Sequence, residues 1–363
     1  MIWKRWGSAV GVIVLLTAAS AGAATVTVTD MAQRTVSTPA DPGRIVCLGP
    51  GALRLIVYLQ AQGRVVGVEE MEKRSPRGRP YWMAHPSLGR LPVVGPGGPA
   101  SINKKPDLEA LLRARPEVIF VTYMDAALAD EVQQTLGVPV VVLSYGAFAT
   151  FDEAVFQALR VAGEILNRTA RAEALVAFIE DQRRELGRRT AETPPEKRAR
   201  VYVGGIGYRG SHGIESTEQH YIPLAWVNAE NLAERVEARV GSHLFVDKEI
   251  LLKLDPEVIF VDGGGLTLVA ADYRKKPGYY QSLQAFKNRR VYTLLPFNFY
   301  TTNIGTALAN AWAVGKRLYP ERFGDIDPAA MADTIYTFLL GAPVYDQMQA
   351  DWGPIGAPAG FGN

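Results

Sequence analysis

The sequence predicts an α/β protein with two lobes, mainly parallel sheets, a single long connecting helix and a ligand cleft between the lobes. A 15-residue segment from Asp107 to Val121 recurs from Asp247 to Val261, a shift of 140 residues (247 − 107 = 140), with ten identical positions. The 363 residues are enough for two hydrophobic cores. A long amphipathic pattern separates the two copies, and each copy has the form of a short helix, a proline and a buried strand.

Residues 1–23 predict a secretory signal peptide. Two basic residues precede a short apolar core from Ala9 to Ala18, and Ala21-Gly22-Ala23 fits a cleavage site, so cleavage is expected after Ala23 or Ala24. An uncleaved anchor is the alternative, but the apolar core is short for a membrane span. The single cysteine, Cys47, cannot form an internal disulfide. It does not lie at the end of the signal peptide, so it is not a lipid-attachment cysteine. We therefore expect an exported protein of the periplasm.

Residues 24–150 predict the first lobe. Short apolar runs between turn residues indicate buried strands, and helical patterns at Leu53–Gln62 and Pro106–Ala114 lie between them. This alternation is typical of a parallel sheet. The predicted strands are Ile45–Leu48, Val65–Val68, Val118–Thr122 and Val138–Leu143.

Residues 151–192 predict the connecting helix. Apolar residues recur at helical spacing and charged residues fill the opposite face, with a break allowed near Asn167. A helix of this length is a stiff connector, unlike a Gly/Ser linker. We therefore expect the lobes to move little relative to each other.

Residues 193–350 predict the second lobe, and the glycine- and proline-rich tail 351–363 is expected to be irregular. The predicted strands are Arg200–Val203, Val258–Val261 and Val291–Leu294, and the predicted helices are Ile304–Leu318 and Ala329–Leu339.

The charge balance gives no support to nucleic-acid binding. Lys+Arg number 39 against Asp+Glu 37, a net charge of +2, and nucleic-acid-binding proteins normally carry a basic stripe. No nucleic-acid partner is therefore expected.

Ligands of open α/β lobes bind beyond the carboxyl ends of the strands. Tyrosines recur at those places and in one preceding loop, although lobe-edge packing is an alternative role for each. The candidate ligand-binding residues of this kind are Tyr81, His85, Tyr123, Tyr145 and Tyr300.

The segment after Val203 is rich in polar side chains. It supplies five further candidate ligand-binding residues, Tyr208, Arg209, His212, Glu215 and His220. Arginine suits an anionic chelate, whereas imidazole and carboxylate suit metal ions, so direct metal ligation by His212, Glu215 and His220 is a second possibility. Surface or capping roles are the alternative for each histidine. Ser216 and Gln219 also fit a capping box that would start a helix.

The glycines in the same segment keep an enzyme interpretation open. Gly205, Gly207 and Gly210 follow a predicted strand and satisfy the dinucleotide fingerprint, which predicts an exported oxidoreductase. This interpretation is disfavoured because the loop continues beyond Gly210, and because nicotinamide cofactors are not expected outside the cytoplasm.

The order of these motifs resembles the periplasmic substrate-binding proteins of ABC importers for iron–siderophore, haem, cobalamin and metals. The matching stretches are Arg44–Pro50, Val65–Val68, both Glu-x-Leu-Leu…Pro-Glu-Val-Ile-Phe units and Arg290–Leu294. The resemblance implies two lobes joined by one helix, a monomer with no cofactor and no enzymatic activity, and capture of an iron complex such as a siderophore chelate. Bare metal, haem and corrinoid ligands are the alternatives within the class.

The resemblance also implies the partner. In this family one glutamate on each lobe docks into arginine pockets of the inner-membrane permease dimer, and Glu109 and Glu249 match those positions. Carboxylate–arginine contacts can be bidentate and charge-assisted. The alternative is that each glutamate only favours its helix N-terminus.

Overall fold

The computed structural model describes residues 24–74, 77–146, 151–237 and 242–361, so the predicted signal peptide lies outside these ranges. None of the helices within them is long and apolar enough to cross a membrane. The strands are β1 (Thr25–Thr29), β2 (Thr35–Pro39), β3 (Ile45–Leu48), β4 (Val65–Gly67), β5 (Val118–Thr122), β6 (Val140–Leu143), β7 (Arg200–Gly204), β8 (Ser216–Glu218), β9 (Glu230–Asn231), β10 (His243–Phe245), β11 (Val258–Asp262) and β12 (Val291–Leu294).

Helices alternate with these strands. They are α1 (Ala52–Tyr58), α2 (Glu70–Arg74), α3 (Pro80–Ala84), α4 (Leu108–Ala114), α5 (Ala126–Leu136), α6 (Ala154–Ile165), α7 (Thr169–Thr190), α8 (Ile222–Trp226), α9 (Lys248–Leu254), α10 (Leu266–Lys275), α11 (Pro277–Ser282), α12 (Gln284–Lys287), α13 (Ile304–Leu318), α14 (Pro328–Leu340) and α15 (Tyr345–Trp352). Single 3-10 turns lie at Gln62–Arg64, Pro86–Arg90, Pro99–Ser101, Pro195–Lys197 and Leu232–Arg235.

Two parallel four-stranded sheets form the lobes. Their strand orders are β4-β3-β5-β6 and β9-β7-β11-β12, so corresponding strands occupy corresponding places. Two antiparallel pairs, β1–β2 and β8–β10, accompany the sheets. The predicted fold class of two α/β lobes is confirmed.

The sequence repeat has a structural basis in both lobes. The helices α4 and α9 each end at a residue in the left-handed region, Arg115 (φ 49°) and Asp255 (φ 38°). In each lobe the glutamate after the proline then binds the start of the neighbouring strand, β3 or β7. Glu117 Oε2 accepts the backbone N–H of Arg44 at 3.0 Å, and Glu257 Oε1 accepts Arg200 Nε at 3.2 Å. The Val-Ile-Phe-Val runs that follow are buried on both faces, as expected of central parallel strands.

The predicted connecting segment is divided into two helices. The break falls at Asn167, which has φ 53° and separates α6 from α7. The helix α6 packs on β1 and β6 of the first lobe, whereas α7 packs on α6 and also on α8 and α13 of the second. The connection between the lobes is therefore the 22-residue helix α7.

The tail is less irregular than its composition predicts, because it lies along the edge strand β12. The N–H of Thr293 donates to the carbonyl of Ala357, and the N–H of Ala359 donates to that of Val291, each at 2.9 Å. These bonds satisfy backbone groups that an edge strand would leave open.

Candidate functional site

The contact between the lobes lies at the carboxyl ends of their sheets. The loop after β12, residues 297–303, reaches the first lobe and is here called the crossing loop. Two of its residues, Tyr300 (φ 56°) and Thr301 (φ 64°), have left-handed backbone conformations. Such conformations cost free energy for residues other than glycine, and they concentrate at functional sites.

Arg54 of α1 binds the crossing loop. Its guanidinium donates to the carbonyls of Thr302 at 2.8 Å and of Phe299 and Tyr300 at 3.0 Å each. The side chain is fully buried, and its Nε has no hydrogen-bond partner. Among the described residues no carboxylate lies within ion-pair distance of it. A buried cation normally has an anionic partner, so this site has unused capacity for negative charge.

Tyrosines surround Arg54. The rings of Tyr81 and Tyr145 lie 4.9 and 5.9 Å from its guanidinium carbon. Tyr145 also donates to the carbonyl of Gly51 at 3.0 Å, and Tyr123 bonds Thr301 of the crossing loop at 3.0 Å. Gly51 must be glycine here, since a Cβ would lie 2.5 Å from Thr301 Cγ2 and the residue has φ 82°.

Tyr300 joins the lobes through a buried carboxyl. Its hydroxyl donates to Glu69 Oε2 at 2.5 Å and accepts the N–H of Gly98 at 3.0 Å. Glu69 also accepts the N–H of Gly49 at 3.1 Å. Burial raises the pKa of Glu69 to about 7, although the bonds from Tyr300 and Gly49 oppose the shift. Near neutral pH this carboxyl is therefore partly uncharged.

A buried ion pair supports this arrangement. Arg79 Nη1 lies 2.9 Å from Glu72 Oε2, and the Tyr81 hydroxyl donates to the same oxygen at 2.7 Å. The guanidinium of Arg79 also faces the rings of Phe299 and Tyr300 at 4.6 and 5.5 Å. The pair thus fixes the first-lobe surface on which the crossing loop rests.

A small cavity of about 50 Å³ adjoins Glu69 on the first lobe. The ends of β3 and β5 line it together with the 94–107 loop, and Lys104 and Lys105 are among its lining residues. Lys105 pairs with Glu131 at 2.7 Å. The cavity lies beyond the carboxyl ends of parallel strands, where ligands of α/β lobes bind.

The protonation of Glu69 predicts a pH-dependent effect of its replacement. A raised carboxyl pKa stabilises the fold below the ordinary value of 4.5, and this contribution is lost as the pH rises to about 7. Glu69→Gln stays neutral, so its stability relative to the parent should rise by about 3 kcal/mol across that window. Urea unfolding of both proteins at pH 4.5, 6 and 7.5 measures this difference. A constant difference would contradict a buried, protonatable Glu69.

A second cluster lies in the loop after β7 and on β10. Tyr208 stacks on His243 with ring centroids 4.2 Å apart, and the Arg209 guanidinium lies 5.5 Å from the Tyr208 ring. His212 bonds the carbonyl of Tyr208 at 2.7 Å and contacts the ring of Phe245. Tyr208 and Phe245 are exposed. We call these five residues the Tyr208 cluster.

The other candidates of this segment have separate neighbours. Glu215 pairs with Lys248 at 3.1 Å, and His220 is exposed, with its backbone N–H bonded to Ser242. The structure therefore does not bring His212, Glu215 and His220 together. Within the described ranges no group of three His, Cys, Asp or Glu side chains is placed to hold a metal ion.

The predicted helix start at Ser216 is wrong. Ser216–Glu218 forms strand β8, because its backbone pairs with β10 and the Ser216 hydroxyl donates to the carbonyl of Ile206. The glycine-rich loop thus leads from β7 into a strand. The dinucleotide fingerprint needs a helix N-terminus at that place, so the described structure lacks the geometry of that site.

The predicted tyrosines are thus divided between two places. Tyr81, Tyr123, Tyr145 and Tyr300 meet around Arg54, whereas Tyr208 belongs to the other cluster. His85 lies elsewhere, with Nε2 at 2.9 Å from the carbonyl of Leu340 on α14.

Sequence reasoning missed the charged residues at the lobe contact. Arg54 had a detectable signal, since it is the lone charged residue in the apolar run Ala-Leu-Arg-Leu-Ile-Val-Tyr-Leu. Glu69, Glu72 and Arg79 lie among other charged residues in the sequence, where nothing distinguishes a buried carboxylate from a solvated one.

The chain belongs to the periplasmic binding protein family, whose sequence model matches residues 45–296. It is similar to the molybdate-binding protein MolA of Haemophilus influenzae, with 25% identity over 329 residues, 85% of this chain and 89% of that protein.

Solved structures show the same fold. Molybdate-bound MolA from Haemophilus influenzae has a TM-score of 0.67 at 22% identity, covering 88% of this chain and 98% of that one. A periplasmic solute-binding protein from Veillonella parvula has a TM-score of 0.72 at 19% identity, with 91% and 97% covered. Nickel-bound CeuE from Helicobacter pylori has a TM-score of 0.60 at 17% identity, with 87% and 96% covered.

Proposed function

We propose that this protein captures a small anionic metal species in the periplasm and delivers it to an ABC importer. The observation that carries this proposal is Arg54, a fully buried cation at the lobe contact with no carboxylate partner in the described structure. An anionic ligand there replaces neutral carbonyl acceptors by charged ones, so that donor and acceptor carry opposite charges and the hydrogen bonds are strengthened.

The geometry around Arg54 fits an oxyanion. Three carbonyl oxygens lie 2.8 to 3.0 Å from its nitrogens, so the guanidinium can hold several oxygen acceptors at once. In this proposal the crossing loop withdraws when a ligand such as molybdate enters, and the ligand oxygens take the places of the loop carbonyls. The similarity to a molybdate-binding protein supports this choice.

The charges near the cleft support the same ligand class. Arg79 is matched by Glu72, and Glu69 is partly protonated near neutral pH, so neither carboxyl offsets the charge of Arg54 in full. In the adjoining cavity Lys104 and Lys105 are accompanied by Asp107, and Lys105 is paired with Glu131. The positive balance at the lobe contact is therefore the charge of Arg54, which favours the binding and approach of an anion.

A ferric chelate such as a siderophore complex is the second candidate. The Tyr208 cluster favours it, because an exposed aromatic ring beside an arginine can contact the organic shell and the negative charge of such a complex. His212, a member of that cluster, contributes without ligating the metal.

Isothermal titration calorimetry of the refolded, ligand-free protein tests the proposal. Sodium molybdate and ferric citrate are the two anionic probes, and nickel chloride is the cationic control. Micromolar affinity, about 8 kcal/mol, is expected for one of the anions and no saturable binding for nickel. Binding of nickel alone would reject the proposal in favour of a bare cation.

The proposed partner is the permease dimer of the importer, with Glu109 and Glu249 as the docking carboxylates. Both are exposed on the equivalent helices α4 and α9, one in each lobe. The protein acts in this proposal as a monomeric carrier without catalysis or cofactor. Export by the signal peptide 1–23 delivers it to the periplasm. The exported chain contains the predicted lobes 24–150 and 193–350, with α6 packed on the first and the tail on the second.

Ligand binding should move the lobes by a small angle. The helix α7 contacts both lobes, and Arg171 on it donates to the carbonyl of Tyr58 at 2.9 Å and bonds that of Phe338. Two lobes fixed to one stiff helix cannot close far without breaking these contacts. Small-angle scattering with and without molybdate measures the change. A large decrease in the radius of gyration would contradict the prediction.

A further inference from the structure

Most identical positions of the sequence repeat have a structural role in both lobes. Leu111 and Leu251 are fully buried, and Pro116 and Pro256 follow the helix ends. Glu117 and Glu257 bind the starts of their neighbouring strands, and the Val-Ile-Phe-Val runs form the centres of the sheets.

Three pairs of identical positions remain. Asp107 caps α4 by accepting the N–H of Ala110, whereas Asp247 makes no such bond in α9. The other two pairs have no structural role of this kind in either lobe. Leu112 is 54% exposed and Leu252 is 38% exposed, and each is preceded three residues earlier by an exposed glutamate, Glu109 or Glu249. Within the described structure, the ion pair recorded for Glu109 is a 3.6 Å contact with Arg113 of the same helix. The packing of the lobes therefore explains neither the two identical glutamates nor the two identical leucines.

The glutamate and the leucine of each lobe form one surface. Residues three apart on a helix lie on the same face, so each of α4 and α9 presents a carboxylate beside an apolar side chain. A single exposed leucine is common on protein surfaces. In the part of the chain that the structure describes, the other large aliphatic side chains that are exposed, Val93 and Leu268, are not at matching positions of the two lobes.

A surface that occurs once per lobe fits a partner that presents the same site twice. We propose that Leu112 and Leu252 are apolar anchors for the two permease subunits, each entering a shallow apolar depression beside the basic group that receives its glutamate. This inference rests on the proposed function, because it takes the importer as the partner. It adds a contact that salt does not screen, whereas the exposed carboxylate–arginine contact is screened.

Binding of the purified protein to its own importer in lipid nanodiscs tests the inference, measured by biolayer interferometry at 50 and 500 mM NaCl. The variants are Leu112→Ser/Leu252→Ser and Glu109→Gln/Glu249→Gln. The control Val93→Ser/Leu268→Ser also removes one exposed aliphatic side chain from each lobe. Melting temperatures confirm that all variants fold.

The leucine variant should bind about tenfold more weakly per leucine at both salt concentrations, since each lost burial is about one decade in affinity. The glutamate variant should lose most at low salt, and the control should stay within twofold. Equal binding by the leucine variant and the parent would overturn this inference alone. A parent that does not bind the importer would overturn both the inference and the proposed delivery function.

Discussion

Replacement of Arg54 by methionine should weaken binding of the anionic ligand at least 100-fold. Methionine keeps much of the length of the side chain but removes the charge and all five donors. Loss of one partner of a buried, hydrogen-bonded charge pair costs about 2–5 kcal/mol. Arg54→Lys keeps the charge but loses the planar fork, so we expect an intermediate loss of about tenfold. Isothermal titration with the probe that binds the parent measures both.

Arg54 also satisfies carbonyls of the crossing loop, so its variants need a matched control for stability. Arg171 is suitable, because it is a partly buried arginine that also donates to backbone carbonyls but lies on α7. Arg171→Met should lose stability and keep its ligand affinity. If folded Arg54→Met bound the anion as tightly as the parent, Arg54 would not be the anion-binding residue.

Replacement of Glu72 by alanine should lower the free energy of unfolding by about 3–5 kcal/mol. The change leaves the buried guanidinium of Arg79 without its carboxylate and the Tyr81 hydroxyl without its acceptor. An unpaired buried charge has a cost of this size. Urea unfolding at pH 7 measures the effect.

The exposed pair Lys105–Glu131 provides the control for that measurement. Its side chains are 48% and 55% exposed, so Glu131→Ala should change stability by at most about 1 kcal/mol. A similar effect in both variants would show that the buried pair does not hold the first-lobe surface of the contact. A loss confined to Glu72→Ala would support that role.

Apart from the two-residue edge strand β9, the strands of both four-stranded sheets could be predicted closely from the sequence. Ile45–Leu48, Val118–Thr122 and Val291–Leu294 have the same bounds in the structure, because continuous apolar runs between turn residues have few alternatives to a buried strand. The short strand at Ser216 could not be predicted this way. Its three residues are polar, and its conformation depends on pairing with the distant β10.

The tyrosines of the candidate site could be predicted from the sequence, but its charged residues and backbone carbonyls could not. Tyr123, Tyr145 and Tyr300 were predicted from their positions near strand ends, where topology alone places residues at the cleft, and Tyr81 was predicted from a preceding loop. The proximity of Glu69 to Tyr300 depends on how the crossing loop folds across the lobes, which no local pattern encodes. The same holds for the carbonyls that surround Arg54.

The most direct test of the proposed function is native mass spectrometry with elemental analysis of protein taken from the periplasm without denaturation. We expect one metal atom per chain, molybdenum or iron, with a bound mass that corresponds to an oxyanion or an anionic chelate. This bound mass should be lost in the Arg54→Met variant. A bare divalent cation, or a neutral ligand without metal, retained equally by the parent and by Arg54→Met, would contradict the proposed function.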